Sequence, residues 1–417
     1  MNHPDTLGTR HAVGVFLVFA GTYFLSTLIR AVTATLSPVL SAELDLGPGD
    51  LGLLAGGYFL GFALTQLPMG RWLDQHGPRR VELAFLSVAV LGCLAFAMAE
   101  SMAALLLARV VTGMGVSACL MAPLTGYRRW LTPATQMRAN AWMLMTGSLG
   151  MVAATLPVQW LMPWVGWRGL FVGMAGCLLV SMAAIAWLAP PWRKASPDVG
   201  AALPPVGYGE VWRHPYFQRM LPLGFVNYGG MVAMQTLWAG PWMVQVAGYS
   251  VEQASAGLFG INLAMLVAFS LWGWVNPTLS RRGVAPETVM TWGVPLSLLL
   301  LCAIAIQGEH AGWIWWAAYC VTSTVVSQAQ PAVALALPPQ AAGRALSAFN
   351  LAIFSGVFAT QWGFGLVVDG FAAWGWGETQ RFQGAVAVFA AGCALAYAVF
   401  WRRGSAARAD RPLNSKV

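Results

Sequence analysis

Long apolar segments, separated by short polar ones, recur along the whole chain. Each holds about 20 residues, enough for an α-helix to cross ~30 Å of hydrocarbon. The first segment is too long for a secretory signal and lacks its small-residue cleavage site, so we expect a retained helix. The pattern predicts an all-α membrane protein with twelve transmembrane helices, near residues 12-38, 51-72, 81-99, 102-126, 138-162, 168-190, 219-246, 253-275, 288-307, 312-337, 344-367 and 382-401.

Composition supports a membrane environment, and the placement of charge predicts an orientation. Hydrophobic residues make up 58% of the chain and charged residues 9%, with a mean hydropathy of +0.63. Nineteen of the 23 Lys and Arg fall on one side of the predicted helices, Arg168 and Arg381 on the other, and Arg30 and Arg109 within spans. The positive-inside rule then predicts that both termini lie in the cytoplasm. We expect the membrane to be a bacterial inner membrane. The net charge of +8 therefore reflects topology and does not indicate a nucleic-acid partner.

A polar stretch rich in Pro and Gly divides the predicted helices into two groups of six. We expect an N-terminal six-helix bundle at 1-190, a cytoplasmic linker at 191-218 and a C-terminal bundle at 219-417. A shift of 203 residues supports a parallel repeat, although Gly and Pro are abundant enough for chance matches. It aligns Pro38 with Pro241, Gly57 with Gly260, Gly70 with Gly273 and Arg79 with Arg282.

The six cysteines all lie in apolar spans, without a CxxC pair or a histidine at ligand spacing. This distribution is typical of packing thiols. It predicts neither disulfides nor a metal site, and no cofactor.

The loop after the second span has the sequence GRWLDQHGPRR. It resembles the signature of the major facilitator superfamily, in which the matching residues are Gly70, Asp74, Gly77, Arg79 and Arg80. The resemblance implies that superfamily's fold and a conformational switch, in which Asp74 caps the N-terminus of helix 11 near Gly343 and Arg344. Gln75 and Pro78 depart from the usual basic cluster, which thins the charge network. A solvated turn with topogenic arginines is the alternative.

A second resemblance lies in helix 4, where Arg109, Gly113 and Gly115 fit the superfamily pattern. Glycines let helices approach closely, and a buried arginine can bind carbonyl groups, a carboxylate or substrate. Structural and substrate-binding roles for Arg109 both stay open. Helix 5 lacks the Gly-Pro cluster typical of drug/proton antiporters.

Arg30 lies deep in helix 1, where a charge costs roughly 3 kcal/mol on insertion scales. Polar residues recur around it at helical spacing and form one stripe on an otherwise apolar helix. A stripe of this kind is expected to face water or substrate. It comprises Tyr23, Ser26, Thr27, Thr33 and Ser37.

The surrounding sequence TLIRAVTATLSPVLSAEL resembles helix 1 of the anion:cation symporter family, with Arg30, Pro38, Glu43 and Leu44 at the same spacing. The resemblance implies that Arg30 handles substrate, commonly an organic carboxylate. Ile29 replaces the Asp that this family uses in proton coupling, and we find no Asp, Glu or His near the middle of any span. The usual chemistry of a proton relay is therefore not predicted. The alternative role for Arg30 is a pair with Glu43 or a helix end that merely holds the outer gate.

Further polar and aromatic residues interrupt the apolar helices of the second half, each more often a packing residue than a contact. The candidates for a substrate path are Tyr228, Gln235 and Trp238 in helix 7, Asn262 in helix 8, Tyr319 and Gln330 in helix 10, and Asn350 and Gln361 in helix 11.

These residues favour a secondary active transporter that works by alternating access. Two intramembrane arginines without a nearby acid leave the path positive, which favours a small organic anion. Efflux of amphipathic drugs is the alternative. An enzyme is not predicted, since His76 and His310 lack a suitable nucleophile or acid. The expected partners are a small-molecule substrate and the bilayer, with a coupling proton or ion left open and a monomer expected.

Overall fold

The computed structural model describes residues 7–192, 207–338 and 341–409, and this part of the chain is helical without a β-strand. Two π-helical segments, Leu223–Tyr228 and Met234–Trp238, and two 3-10 segments, Gly308–His310 and Thr324–Gln328, join some of the helices. The α-helices are α1 (Thr9–Leu44), α2 (Pro48–Leu64), α3 (Gln66–Ala97), α4 (Met102–Val116), α5 (Met121–Trp130), α6 (Pro133–Ala153), α7 (Leu156–Leu188), α8 (Tyr208–Arg213), α9 (Pro215–Pro222), α10 (Gly229–Ala233), α11 (Ala239–Gln245), α12 (Val251–Arg281), α13 (Pro286–Gln307), α14 (Trp313–Ser323), α15 (Ala329–Ala336), α16 (Ala342–Ala373) and α17 (Glu378–Ala409).

Twelve long helical stretches occupy the places that the hydrophobic pattern predicts, which confirms the all-α fold. The second, fourth, fifth, seventh and tenth predicted spans are divided, by Thr65, by the turn at 117–120, by the turn at Ala154 and Thr155, by the π-helical segments and by a 3-10 segment. The eight helical stretches of the described chain that are long and apolar enough to cross a membrane are Thr9–Leu44, Gln66–Ala97, Met102–Trp130, Leu156–Leu188, Val251–Arg281, Pro286–His310, Ala342–Ala373 and Glu378–Gly404.

A glycine produces the sharp bend between the second and third spans. Gly77 adopts a φ of +78° within α3, a conformation that L side chains rarely take. A Cβ at this position would also overlap the side chain of Trp192. Both constraints explain why a glycine stands here in the signature sequence.

The largest apolar cores follow the two halves of the sequence. Phe96 of α3 stacks on Phe171 of α7 with ring centroids 4.1 Å apart, whereas Trp242 of α11 packs edge-on against Trp316 of α14 at 5.6 Å. The division into bundles at 1-190 and 219-417 stays a prediction. Much of the predicted linker, residues 193–206, lies outside the described residues, and α8 and the start of α9 occupy its described end.

Helices from the two halves meet along α2 and α16, which run antiparallel in close contact. Phe59 of α2 stacks on Phe354 of α16 with ring centroids 6.2 Å apart, and Phe62 packs against the same ring in a tilted arrangement at 4.4 Å. The outward-facing sides of many helices are apolar, since Trp164, Trp187 and other large hydrophobic residues are more than four-fifths exposed. Extensive exposed apolar surface is typical of a protein surrounded by lipid.

Candidate functional site

The guanidinium of Arg30 lies where helices from both halves of the chain meet. Its Cζ is 5.3 Å from the ring centroid of Phe62 and 5.6 Å from that of Phe354. Aromatic ring faces attract a cation, so both rings favour this position. The residue is partly exposed, and its buried Nε has no hydrogen-bond partner. Arg30 therefore retains hydrogen-bonding capacity that the described protein does not use.

Three tyrosines from three helical segments surround this guanidinium. Tyr23, Tyr58 and Tyr228 all lie close enough to interact electrostatically with Arg30. Tyr58 donates its hydroxyl proton to the Ser26 carbonyl at 3.2 Å. The hydroxyls of Tyr23 and Tyr228 form no hydrogen bond to another residue of the described chain. A cation flanked by two available phenol donors suits the oxygen atoms of an anion.

Arg30 does not pair with Glu43, which is one of the two kinds of partner that the sequence left open. Glu43 instead forms an ion pair with Arg168 and accepts a hydrogen bond from Trp167 Nε1 at 2.7 Å. The ion pairs of residues 7–192, 207–338 and 341–409 are Arg168 with Glu43 and Arg381 with Glu378. Neither of these ion pairs includes Arg30.

Arg109 is placed very differently, inside the first half. It is 0% exposed, and its Nη1 donates to the Ile29 carbonyl at 3.0 Å. Its Cζ lies 5.0 Å from the Tyr58 ring centroid. A Cβ on Gly113, one turn further on, would overlap the Tyr58 carbonyl, so glycine permits the close approach of α4 to α2. This geometry favours the structural role for Arg109.

Much of the polar stripe on α1 packs against neighbouring helices of the same half. Thr27 is 1% exposed, its hydroxyl donates to the Phe24 carbonyl at 3.0 Å, and Gly150 of α6 packs against it. Ser26 donates to the Val116 carbonyl at 3.4 Å. Both hydroxyls donate to backbone carbonyls. Thr27 therefore lies at a contact between helices, whereas Tyr23 and Arg30 of the same helix face lie next to the candidate site.

The amide candidates of the second half bond mainly to one another. Gln235 donates to Asn262 at 2.9 Å, and Gln330 donates to Asn350 at 2.6 Å. The Gln361 side-chain amide donates to the Thr236 hydroxyl at 3.0 Å, and the Gln361 backbone carbonyl accepts a hydrogen bond from the indole Nε1 of the buried Trp238. Tyr319 is also buried. These residues link helices, whereas Tyr228 is the candidate from this half that interacts with Arg30.

The signature sequence, residues 70–80, lies within the first half of α3, on both sides of the bend at Gly77. Asp74 is exposed and has no hydrogen bond or ion pair with a described residue. Arg79 donates to the Ala186 carbonyl, Arg80 is exposed, and Gly70 borders open space. The predicted cap from Asp74 to α16, near Arg344, stays a prediction.

The opposite end of the same helix pair carries a formed version of this contact. Asp369, near the C-terminal end of α16, accepts a hydrogen bond from the backbone N–H of Gly49 at 2.8 Å. Gly49 lies in the first turn of α2, where backbone N–H groups lack helical partners and a carboxylate is stabilising. This contact joins the two halves at the end where Glu43 and Arg168 also pair.

Sequence reasoning missed one buried acid. Glu82 of α3 is 0% exposed, its Oε1 accepts a hydrogen bond from Thr22 at 3.1 Å, and its Oε2 has no partner. Its position beside Arg79 and Arg80 suggested the edge of a span. The signal that could have revealed this burial is the continuous apolar run that follows Glu82 in the sequence. It indicates that α3 is already surrounded by other helices at the position of Glu82.

Comparisons with known proteins agree with this architecture. A family model described as "Major Facilitator Superfamily" matches residues 19–361. The "Probable nitrate/nitrite transporter NarK2" of Mycobacterium tuberculosis is 26% identical over 298 residues, covering 70% of this chain and 71% of the relative. The "Probable sulfoacetate transporter SauU" of Cupriavidus necator is 22% identical over 325 residues, covering 72% and 74%.

A solved structure has the same fold. It is a bacterial homologue of the human lysosomal transporter Spinster in an inward-facing, unoccupied conformation. It superposes with a TM-score of 0.77 at 17% identity and covers 98% of this chain and 100% of its own. With a family match across most of its length and this fold, the chain belongs to the Major Facilitator Superfamily, whose members are transporters and not enzymes.

Proposed function

We propose that this protein is a secondary active transporter that carries a small organic anion by alternating access. It lies in the inner membrane of a bacterium with both termini in the cytoplasm and works as a monomer. The two bundles, 1-190 and 219-417, rock about a central site. Substrate binds at Arg30, with Tyr23 and Tyr228 as hydrogen-bond donors.

The observation that carries this proposal is the position of Arg30. A cation in a dry environment attracts an anion several times more strongly than it would in water. Arg30 has no carboxylate partner among the described residues, and its ring neighbours come from α2 and α16. An anion bound there would contact both halves of the chain, as a site between two rocking bundles requires.

Contacts at the two ends of α2 and α16 support alternating access. At one end Asp369 caps α2, which holds the halves together. At the other end Asp74 is exposed, and it would cap the N-terminus of α16 in the alternative conformation. Asp369 lies near the C-terminal end of α16 and Asp74 lies in the first half of α3, which follows α2, so each carboxylate would serve the N-terminus of a helix of the other half. Exchange of one cap for the other would open one end as the other closes.

The names of the relatives support an anionic substrate. NarK2 is named for nitrate and nitrite, and SauU is named for sulfoacetate. The organic anion is favoured because the aromatic walls formed by Phe62 and Phe354 suit a carbon skeleton. Sulfoacetate, succinate, gluconate and nitrate therefore form the first panel of probes.

Thermal unfolding of the purified protein with this panel tests the proposal. A bound anion stabilises the folded state by mass action. At least one organic anion should raise the unfolding temperature of the wild type and of Arg281→Gln, whose side chain is exposed at the end of α12. The same anion should have no effect on Arg30→Gln. Equal stabilisation of all three proteins would contradict the proposed site.

A further inference from the structure

Glu82 forms the centre of a buried polar cluster that the anion site does not include. Its carboxylate receives hydrogen bonds from two described side chains, the hydroxyl of Thr22 of α1 at 3.1 Å and the Cys119 thiol. It forms no ion pair in the described part of the chain. An ionised carboxylate buried with so few donors is costly, whereas the protonated form is not. The surroundings of Glu82 therefore favour a bound proton in this conformation.

A continuous polar path leads from Glu82 toward Arg30. The Cys119 thiol lies between the side chains of Glu82 and Ser26 and interacts with both. The Ser26 carbonyl accepts the hydrogen bond from Tyr58, and Tyr58 borders the guanidinium of Arg30. Thr22, Ser26 and Arg30 all belong to α1, so one helix contacts both the acid and the candidate anion site.

We propose that Glu82 is a proton-binding site whose occupancy is linked to the occupancy of Arg30, so that the anion and a proton travel together. This inference rests on the proposed function. One proton from bulk water binds the Glu82 carboxylate, and the same proton leaves on the other side after release of the anion. No covalent bond other than this O–H bond forms or breaks.

Electrostatics supplies the link between the two sites. Thr22 and Arg30 are eight residues apart on α1, which corresponds to about 12 Å along the helix axis. At a charge separation of about this length and an effective dielectric constant of about 20, an unpaired positive charge on Arg30 would favour the ionised form of Glu82 about tenfold. A bound anion neutralises that charge and removes the bias. Anion binding therefore strengthens proton binding, and by linkage a bound proton strengthens anion binding equally.

Among the charged groups near Glu82, Arg30 is the one whose charge is neutralised when an anion binds. Cys119, from the turn between α4 and α5, and Tyr127 of α5 are the titratable neighbours, and both are neutral when protonated. The other charged groups on the surrounding helices have partners elsewhere or are exposed. Arg79 donates to the Ala186 carbonyl and Arg109 to the Ile29 carbonyl, Arg129 lies over the Trp192 ring, Arg168 pairs with Glu43, and Asp369 accepts from Gly49. Asp74, Arg80 and Arg128 are exposed.

Infrared difference spectroscopy of the reconstituted protein tests this inference directly. The carbonyl stretch of a protonated carboxylic acid should be present in the wild type, decline in alkaline buffer, and be absent from Glu82→Gln. Arg30→Gln mimics neutralisation of Arg30 by an anion. In this variant the band should disappear only at a proton concentration about tenfold lower than in the wild type. Glu100→Gln, at an exposed acid, is the matched control and should leave the band unchanged.

The outcomes separate this inference from the proposed function. If no band depends on Glu82, or if its titration is the same in Arg30→Gln, the linkage is wrong. If Arg30→Gln shifts the band and saturating sulfoacetate, succinate, gluconate and nitrate do not, the linkage stands and the anion proposal fails. Thr22→Val provides a second variant: it removes a hydrogen bond to the ionised acid, so the band should persist to more alkaline buffer while the Arg30→Gln shift is retained.

Discussion

The two arginines within the predicted spans occupy contrasting surroundings. Arg109 is completely buried inside the first half and donates to the Ile29 carbonyl. Arg30 is partly exposed where the halves meet, and aromatic rings from α2 and α16 flank it. Both contact or border Tyr58. Both guanidiniums have nitrogen atoms without a hydrogen-bond partner, Nε of Arg30 and Nε and Nη2 of Arg109, so unused donors alone do not indicate a binding site. Arg30 differs in its position where the two halves meet.

The difference arises from the neighbours of each arginine. Gly113, one turn after Arg109, draws α4 against α2 and leaves space for little besides the arginine side chain. Near Arg30, the rings of Phe62 and Phe354 fill the contact between α2 and α16. The first arginine thus braces helices within one half, and the second lies at the junction of the halves.

Charge reversal at Arg30 should have the largest effect. Arg30→Glu replaces attraction by repulsion at the anion site, so uptake of labelled sulfoacetate or succinate into proteoliposomes should fall by about 100-fold or more. Arg281→Gln should transport at the wild-type rate. If the protein instead exports cationic amphipathic drugs, that export should survive Arg30→Glu, and retained anion uptake in this variant would count against our account.

Truncation of the bracing arginine should mainly affect stability. Arg109→Ala creates a cavity and removes the hydrogen bond to the Ile29 carbonyl, which should lower the unfolding free energy by about 2–3 kcal/mol. Arg30→Ala loses the side-chain hydrogen bond with Tyr58 at a partly exposed position and should cost less. Thermal unfolding of both variants without ligand measures the difference. A larger loss for Arg30→Ala would reverse our assignment of the two roles.

The caps at the ends of α2 and α16 should produce a smaller effect. Asp369→Asn removes the charge that caps α2, which should weaken closure at that end by about 1 kcal/mol and raise the population of the alternative conformation about fivefold. Asp74→Asn should not weaken the present conformation, because Asp74 bonds to no described residue in it.

Spin labels can measure this shift. Asp45 and Trp374 are both exposed at the end closed by Asp369, so cysteines there report its opening by electron paramagnetic resonance distances. The background needs Cys177 and Cys302 replaced by Ser, since these thiols are exposed. Identical distance distributions in Asp369→Asn and in the background protein would show that this contact does not hold the end closed.

The hydrophobic pattern predicted the helices well because lipid imposes length and polarity on every span. We expected helix 11 to begin near Gly343, and α16 begins at Ala342. Gly77 of the signature is likewise explained by its positive φ. The candidate site was harder to predict, because periodicity defines a face of a helix but not the neighbour that covers it. Thr27 and Arg30 share a stripe, yet α6 packs against Thr27 and the junction of the halves lies beside Arg30.

Long-range pairing explains the remaining differences. Gln235 and Asn262 are on separate helices, and spacing within either helix cannot show that they bond to each other. Glu82 stands next to two arginines in the sequence, yet its side chain turns inward to Thr22. The partners of these polar groups depend on how whole helices pack, which a single sequence does not encode locally.

Calorimetric titration with sulfoacetate, succinate, gluconate and nitrate measures most directly whether Arg30 binds an anion. We predict saturable binding of at least one organic anion to the wild type and to Arg281→Gln, and no detectable binding of that anion to folded Arg30→Gln. The same dissociation constant for the wild type and Arg30→Gln would contradict the account.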